Sequence, residues 1–355
     1  MKQFRHSYLF YLLMLITALA SCKKDNKDEE TGPLLTSEHK GIYILCEGNF
    51  NMNNSSLVYF DYDKQELTDD QFDAVNKRGL GDTGNDIQIY GSKMYIVVNV
   101  SSTIEVVNPK TAASIKQIDI KNGDTGRQPR NIVFYKNKAL ISSFDGTVAV
   151  LDTASLIIDK YITVGRNPEQ MAIVGDKLYV ANSGGLDFDN PDKTVSVVDL
   201  TTFTETKKIT VGLNPQYVAA DKYGDIYVLA TGNYTDIPST MTIIDSQTDE
   251  VKSQSAFAAG SIDIVGDYAY IGAGKAVLVY NVKTEKIEKE NFVTDGTSLD
   301  YTYGVTVDET SGEIFVANLI TSSINGEIIC FDKNGKKRYS IKKGINPKRI
   351  AFLKK

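Results

Sequence analysis

The chain has 355 residues, of which 42% are apolar and 24% charged, and a formal net charge of −6. That composition fits a globular chain and excludes a fibrous or fully disordered one. An acidic balance without a basic stripe excludes a nucleic-acid partner.

In chain order, the first segment is a leader. Lys2 and Arg5 form a positive start, residues 8–20 are apolar, and small residues precede Cys22. The run is too short to be a spanning helix. Leu19-Ala20-Ser21-Cys22 resembles the bacterial lipobox, which implies a lipidated Cys22 as the mature N-terminus. Such an anchor attaches a protein to a membrane without crossing it. Loss of Lys2 and Arg5 with the leader takes the net charge from −6 to −8. Residues 23–36 are rich in Lys, Asp, Glu and Gly and cannot bury apolar surface, so 22–40 is expected to be a disordered tether. A charged run behind a lipidated Cys is similar to the export signal of surface lipoproteins, which implies display outside the cell, with periplasmic display as the alternative. The two His residues, His6 and His39, fall in the leader and the tether.

Residues 41–355 repeat one unit, clearest over 166–212. Each copy has a pair of apolar residues two apart, then an aromatic–aliphatic run, then an alternating strand ending in an Asp or Asn turn. The turn residues are Asp61, Asn108, Asp152, Asp199, Asp245, Asn281 and Asp332. The apolar pairs, from Ile87/Ile89 to Ile350/Phe352, also number seven. Units of this size cannot bury their own faces and must stack. The pattern has period two and no helical stripe. It predicts an all-β fold, a seven-bladed β-propeller of four-stranded antiparallel blades. The last copy (345–353) holds only a first strand and the first copy (41–72) only the other three. C-terminal strand pairing with the N-terminal blade is therefore expected to close the ring. The domains are thus leader 1–21, tether 22–40 and a monomeric propeller 41–355.

Catalytic groups are scarce in this reading. The expected propeller has no His, which removes Ser-His and Cys-His nucleophile pairs and His-built metal or haem sites. Without Trp it lacks the stacking platforms of quinone-cofactor propellers, and no cofactor is expected. Asp187, Asp189 and Asp192, with Asn190, form a weak candidate for a hard cation, but their spacing matches no calcium loop and suits a solvated turn equally well. Cys46 and Cys330 fall in neighbouring blades. They could bridge, but two buried apolar thiols are the favoured reading.

Binding is better supported. Antiparallel blades place the blade-to-blade crossings and the second-to-third-strand loops on one face, at one mouth of the central channel. The crossings bring Asn85, Asp86, Arg130, Asn131, Glu169, Gln170, Gln216, Tyr217, Tyr303, Lys348 and Arg349 to that face. Four long loops (48–55, 183–193, 231–240, 319–326) join them, carrying Phe50, Phe188 and Tyr234. Aromatics above converging polar groups make a candidate pocket for an organic ligand.

Leu178-Tyr179-Val180-Ala181-Asn182 and Ile314-Phe315-Val316-Ala317-Asn318 resemble the Tyr-Val-Thr-Asn repeat of YncE-like surface propellers. The run from Gly41 to Phe50, with Tyr303-Gly304-Val305-Thr306-Val307, is similar to a lipoprotein subgroup that includes the BtuG-type propellers. That resemblance implies capture of a corrinoid such as cobalamin and its transfer to a TonB-dependent outer-membrane transporter. The rival readings are a protein-interaction scaffold of the envelope and a carboxylate/metal hydrolase.

Overall fold

The computed structural model describes residues 38–321 and 325–355. The expected leader, Cys22 and the tether up to residue 37 lie outside the described residues. Seven four-stranded antiparallel sheets form the blades of a propeller. Blade 4 shows the plan, with Pro168–Val174 innermost, then Lys177–Asn182, Thr194–Asp199 and Thr204–Thr210 outermost.

Blade 1 is composite. Its inner strand is the C-terminal Pro347–Lys354, paired antiparallel with His39–Cys46, which is followed by Ser56–Asp61 and Glu66–Thr68. Ile350 faces Ile44 and Phe352 faces Ile42. Tail and head thus share one sheet, as the split repeat predicts.

The first strand begins at His39 rather than Gly41, which corrects the assignment of His39 to the tether. His39 pairs with Lys354, and its ring lies 5.0 Å from that of Phe352. Its Nε2 is 2.9 Å from Asp308 Oδ1, with both side chains buried. A propeller histidine therefore exists, but it locks blade 1 to blade 7 and stands apart from the expected binding face. The closing strand runs away from the blade crossings towards Lys354. The described chain accordingly starts on the face opposite those crossings.

Stacking follows from the alternation. One apolar cluster fills each of the seven blade interfaces. Between blades 4 and 5, for instance, Val195, Val197 and Ile209 meet Val218, Val228 and Ile244. The recurring second-strand Tyr is buried and ties its blade to the next one. Tyr43 donates to the Pro109 carbonyl at 2.8 Å, Tyr179 to Asp249 Oδ1 at 2.5 Å and Tyr227 to the Val282 carbonyl at 3.2 Å. The repeated Asp or Asn closes its corner by accepting main-chain N–H groups two or three residues on, as Asp61, Asp199 and Asn281 do.

One element departs from the all-strand reading. Gln71–Asn76 is a short helix in the crossing from blade 1 to blade 2, capped by Asp70, with Phe72 fully buried. Under two turns is too short to produce a helical period in sequence. Cys46 and Cys330 are free thiols, both buried in the cluster joining blades 1 and 7. Burial pushes the Cys46 thiol up to about 12.

Candidate functional site

The site is made by β-bulges. In six blades the pairing of inner and second strands slips at its start, on the crossing face. Asn85 lies in the gap between Gly84 and Asp86, Arg130 and Asn131 between Pro129 and Ile132, and Glu169 and Gln170 between Pro168 and Met171. Gln216, Tyr303 and Lys348 sit in the slips of blades 5, 7 and 1. A bulge re-aims side chains that would otherwise alternate across the sheet. Asn167, Asn214 and Asn346, which precede Pro168, Pro215 and Pro347, hold positive φ angles of 46°, 60° and 53°. Blade 6 pairs its inner and second strands in register from Ser261, with no bulge between them.

These residues line one axial cavity of about 320 Å³, together with Glu47 and Thr83. Of the crossing residues expected there, Asn85, Arg130, Asn131, Glu169, Gln170, Gln216, Tyr217, Tyr303, Lys348 and Arg349 converge. Blade 6 supplies none. Asp86 sits one layer below, fully buried. Its Oδ2 accepts from Asn131 Nδ2 at 2.6 Å and Ile132 N at 3.0 Å, and its Oδ1 from Ile87 N at 2.9 Å. Asp86 therefore joins blades 2 and 3 rather than facing a ligand.

The charges of the mouth are closed on one another. Arg130 donates from Nε to Glu169 Oε2 at 2.9 Å and from Nη1 to Asn85 Oδ1 at 2.7 Å, with its guanidinium 4.5 Å from the Phe144 ring centre. Lys348 Nζ donates to Glu47 Oε1 at 2.6 Å, and the Tyr303 hydroxyl donates to Glu47 Oε2. Burial alone would raise the Glu47 carboxyl, but Lys348, Tyr303 and Arg130 together hold it below the ordinary range. Burial also raises the Asp86 carboxyl, against the pull of Arg349, and lifts the phenols of Tyr217 and Tyr303.

A depressed carboxyl stabilises the fold fully above its unfolded value and loses that contribution as the pH falls through the folded one. Thermal stability is therefore expected to drop below about pH 4.5, the ordinary value for Glu47. Glu47→Gln should make that acid limb shallower without removing it, because Asp308 is also held low despite burial, by Ser311 and His39. Unfolding temperatures of both proteins between pH 2.5 and 6 check this.

The loop aromatics do not enter the cavity. Phe50, Phe188 and Tyr234 are 71%, 76% and 67% exposed on separate loops of the same face. Met52, Leu186 and Ile237 are exposed beside them. Only Tyr234 reaches the mouth, accepting from Gln216 Nε2 at 3.1 Å and Asn214 Nδ2 at 3.3 Å.

The acidic cluster of blade 4 does not gather. Asp187 Oδ2 lies 3.1 Å from Arg166 Nη1, and Asp192 accepts from Lys193 N at 2.6 Å and Thr194 Oγ1 at 2.9 Å. Asp189 is exposed. Among the described residues no three His, Cys, Asp or Glu side chains group to hold a metal. Arginine and loop donors thus take the Asp187 and Asp192 carboxylates of the weak cation candidate.

Glu47 and Thr83 were not among the expected site residues. Glu47 had a signal: it is the first charge after the apolar run Ile42–Cys46, at the point where that strand emerges on the crossing face. Thr83 had none beyond its place beside Asn85.

Fold and site together define a seven-bladed β-propeller with a polar axial mouth under an apolar rim. The chain belongs to the family described as a domain of unknown function, DUF5074, whose model matches residues 40–353. No curated protein matches it in sequence. Among solved structures it is similar to a quinonprotein alcohol dehydrogenase-like protein from Bacteroides thetaiotaomicron, at 15% identity and a TM-score of 0.67, covering 89% of this chain and 78% of that one. It is also similar to Kuenenia stuttgartiensis hydrazine synthase, at 14% identity and a TM-score of 0.60, over 71% and 77% of the two chains. The computationally designed Ika8 protein matches at 14% identity and a TM-score of 0.56, over 87% and 89%. Identities this low show a shared fold.

Proposed function

We propose that this protein is a non-catalytic, membrane-tethered lipoprotein that captures a small organic ligand at the axial mouth and passes it to an outer-membrane transporter. The observation that carries the reading is the set of six bulges, which spend backbone regularity to aim polar side chains at one point. Bulges cluster where a protein re-aims side chains for function. A rigid closed scaffold also keeps a pocket pre-organised, which lowers the cost of binding. A corrinoid is the ligand implied by the resemblance of 41–50 and 303–307 to BtuG-type propellers. Its apolar ring edge suits Phe50, Phe188 and Tyr234, and its peripheral amides suit the Asn and Gln side chains below. The lipobox at Cys22 supports the tether, with display at the cell surface.

Isothermal calorimetry against corrinoids, haem and neutral glycans tests capture. One of these is expected to bind below 10 µM, a ceiling of about −7 kcal/mol, and silence across the panel at high concentration would remove the reading.

A second reading, an envelope scaffold, is favoured by the apolar residues exposed on the rim loops, since such clusters mark protein contacts. Pull-down from solubilised envelope separates the two. A stoichiometric partner lost on deleting 183–193, with no ligand bound, would favour the scaffold.

A further inference from the structure

We infer that the molecule held in this mouth is uncharged, with its polarity carried by carboxamide or hydroxyl groups. The inference rests on the capture reading and adds the class of ligand. Three cations stand at the mouth and each already has a carboxylate: Arg130 has Glu169 at 2.9 Å, Lys348 has Glu47 at 2.6 Å, and Arg349 has Asp86 at 3.8 Å. Asp86 accepts main-chain and amide N–H groups on both oxygens, which fixes it beneath Arg349. The two pairs that line the mouth, Arg130–Glu169 and Lys348–Glu47, each balance internally, and Arg349 lies over the buried Asp86, so no bare charge is left to attract an ion.

A carboxylate or phosphate ligand would have to take Arg130 from Glu169 or Lys348 from Glu47. Either exchange strands a carboxylate whose side chain is only 11–12% exposed, and an uncompensated charge in such a place is strongly unfavourable. A cationic ligand faces the mirror problem. A neutral group bridges the pairs without breaking them, because Gln170, Gln216 and Thr83 beside them offer amide and hydroxyl groups, while Asn85 and Asn131 are held by Arg130, Asp86 and Met171.

One buried side-chain atom of the mouth's lining is unsatisfied. Arg349 Nε is buried and has no hydrogen-bond acceptor among the described residues. Asp86 balances its charge from 3.8 Å, beyond hydrogen-bonding range. What this donor lacks is an acceptor oxygen rather than a counter-charge; it is closed to solvent here, so an amide carbonyl or a hydroxyl supplies one once the Arg349 side chain turns up into the mouth. Arg349 also lines the cavity on the opposite side of the ring, so it forms the floor of the mouth.

The test pairs probes of equal shape and different charge, measured by calorimetry on the full mature chain. One pair is a cobalamin with its carboxamides intact and the same corrin ring with those side chains hydrolysed to carboxylates. The other is a fully methyl-esterified oligogalacturonate and the free oligogalacturonate of equal length. The neutral member of one pair is expected to bind at least tenfold tighter than its acid, with less than threefold change between 20 and 500 mM NaCl, and the pair that binds identifies amide or hydroxyl chemistry. In Glu47→Gln, which frees Lys348, the preference should shift at least tenfold towards the acid. A tighter acid, or affinity falling more than tenfold with salt, overturns the inference and leaves capture standing. Failure of all four probes to bind overturns both.

Discussion

Deletion of residues 347–355 is expected to abolish cooperative unfolding or to lower the unfolding temperature by at least about 10 °C. The segment is the inner strand of blade 1 and has no substitute. Ile350, Ala351 and Leu353 are buried, and Phe352 packs half-buried against the cluster joining blades 1 and 7. Burial of side chains this size is worth roughly 1.5–3 kcal/mol each, so the strand contributes on the order of 5–8 kcal/mol before its ladder bonds are counted. Whole-domain stability is about 5–15 kcal/mol. Deletion also bares the edge of Ile42–Cys46, an apolar strand with unpaired main-chain groups, and association is the usual result. Calorimetric scans and light scattering of the shortened chain check both effects. A ring of blades held only by side-to-side packing would barely register the loss.

That closure was legible because the repeat is incomplete at both ends of the propeller. The corner Asp and Asn residues, the second-strand Tyr and the paired inner-strand apolars each mark one place in a blade, and the structure puts them there. The polar residues of the crossings were legible as a set because strand direction alone assigns a face. Their convergence was only half visible. Pro129, Pro168, Pro215 and Pro347 announce four of the bulges, but Asn85 and Tyr303 enter the mouth through slips with no proline, and only the pairing register reveals them. His39 was misplaced because a strand's first residues look like tether when one of them is polar. The loop aromatics were expected over the cavity and lie on that face outside it, since loop length says nothing about where a side chain turns.

Arg130→Ala carries the second large expected effect. The guanidinium binds Glu169 and Asn85 together and covers Phe144. Burial disfavours its charge, yet Glu169, and Glu47 more weakly, hold it firmly protonated. Truncation leaves Glu169 nearly buried without its counter-charge, at a cost of about 3 kcal/mol in stability. It also removes a wall of the mouth, and ligand affinity should fall at least a hundredfold, or about 2.7 kcal/mol. Arg130→Lys should recover little, because one ammonium cannot reach both partners in the fork that arginine uses. Denaturant titration gives the first quantity and calorimetry the second. An unchanged affinity in a folded Arg130→Ala protein would move the site elsewhere on the ring.

The most direct measurement is a crystal structure of the mature chain with the tightest ligand from the calorimetric panel. Ligand density is expected in the bulge-built mouth, over Arg130, Lys348 and Tyr303, with Arg349 Nε bonded to one of its oxygens and at least one of Phe50, Phe188 and Tyr234 folded onto it. Density on the opposite face beside His39 and Asp308, or along the outer strands with the mouth holding only water, would contradict it.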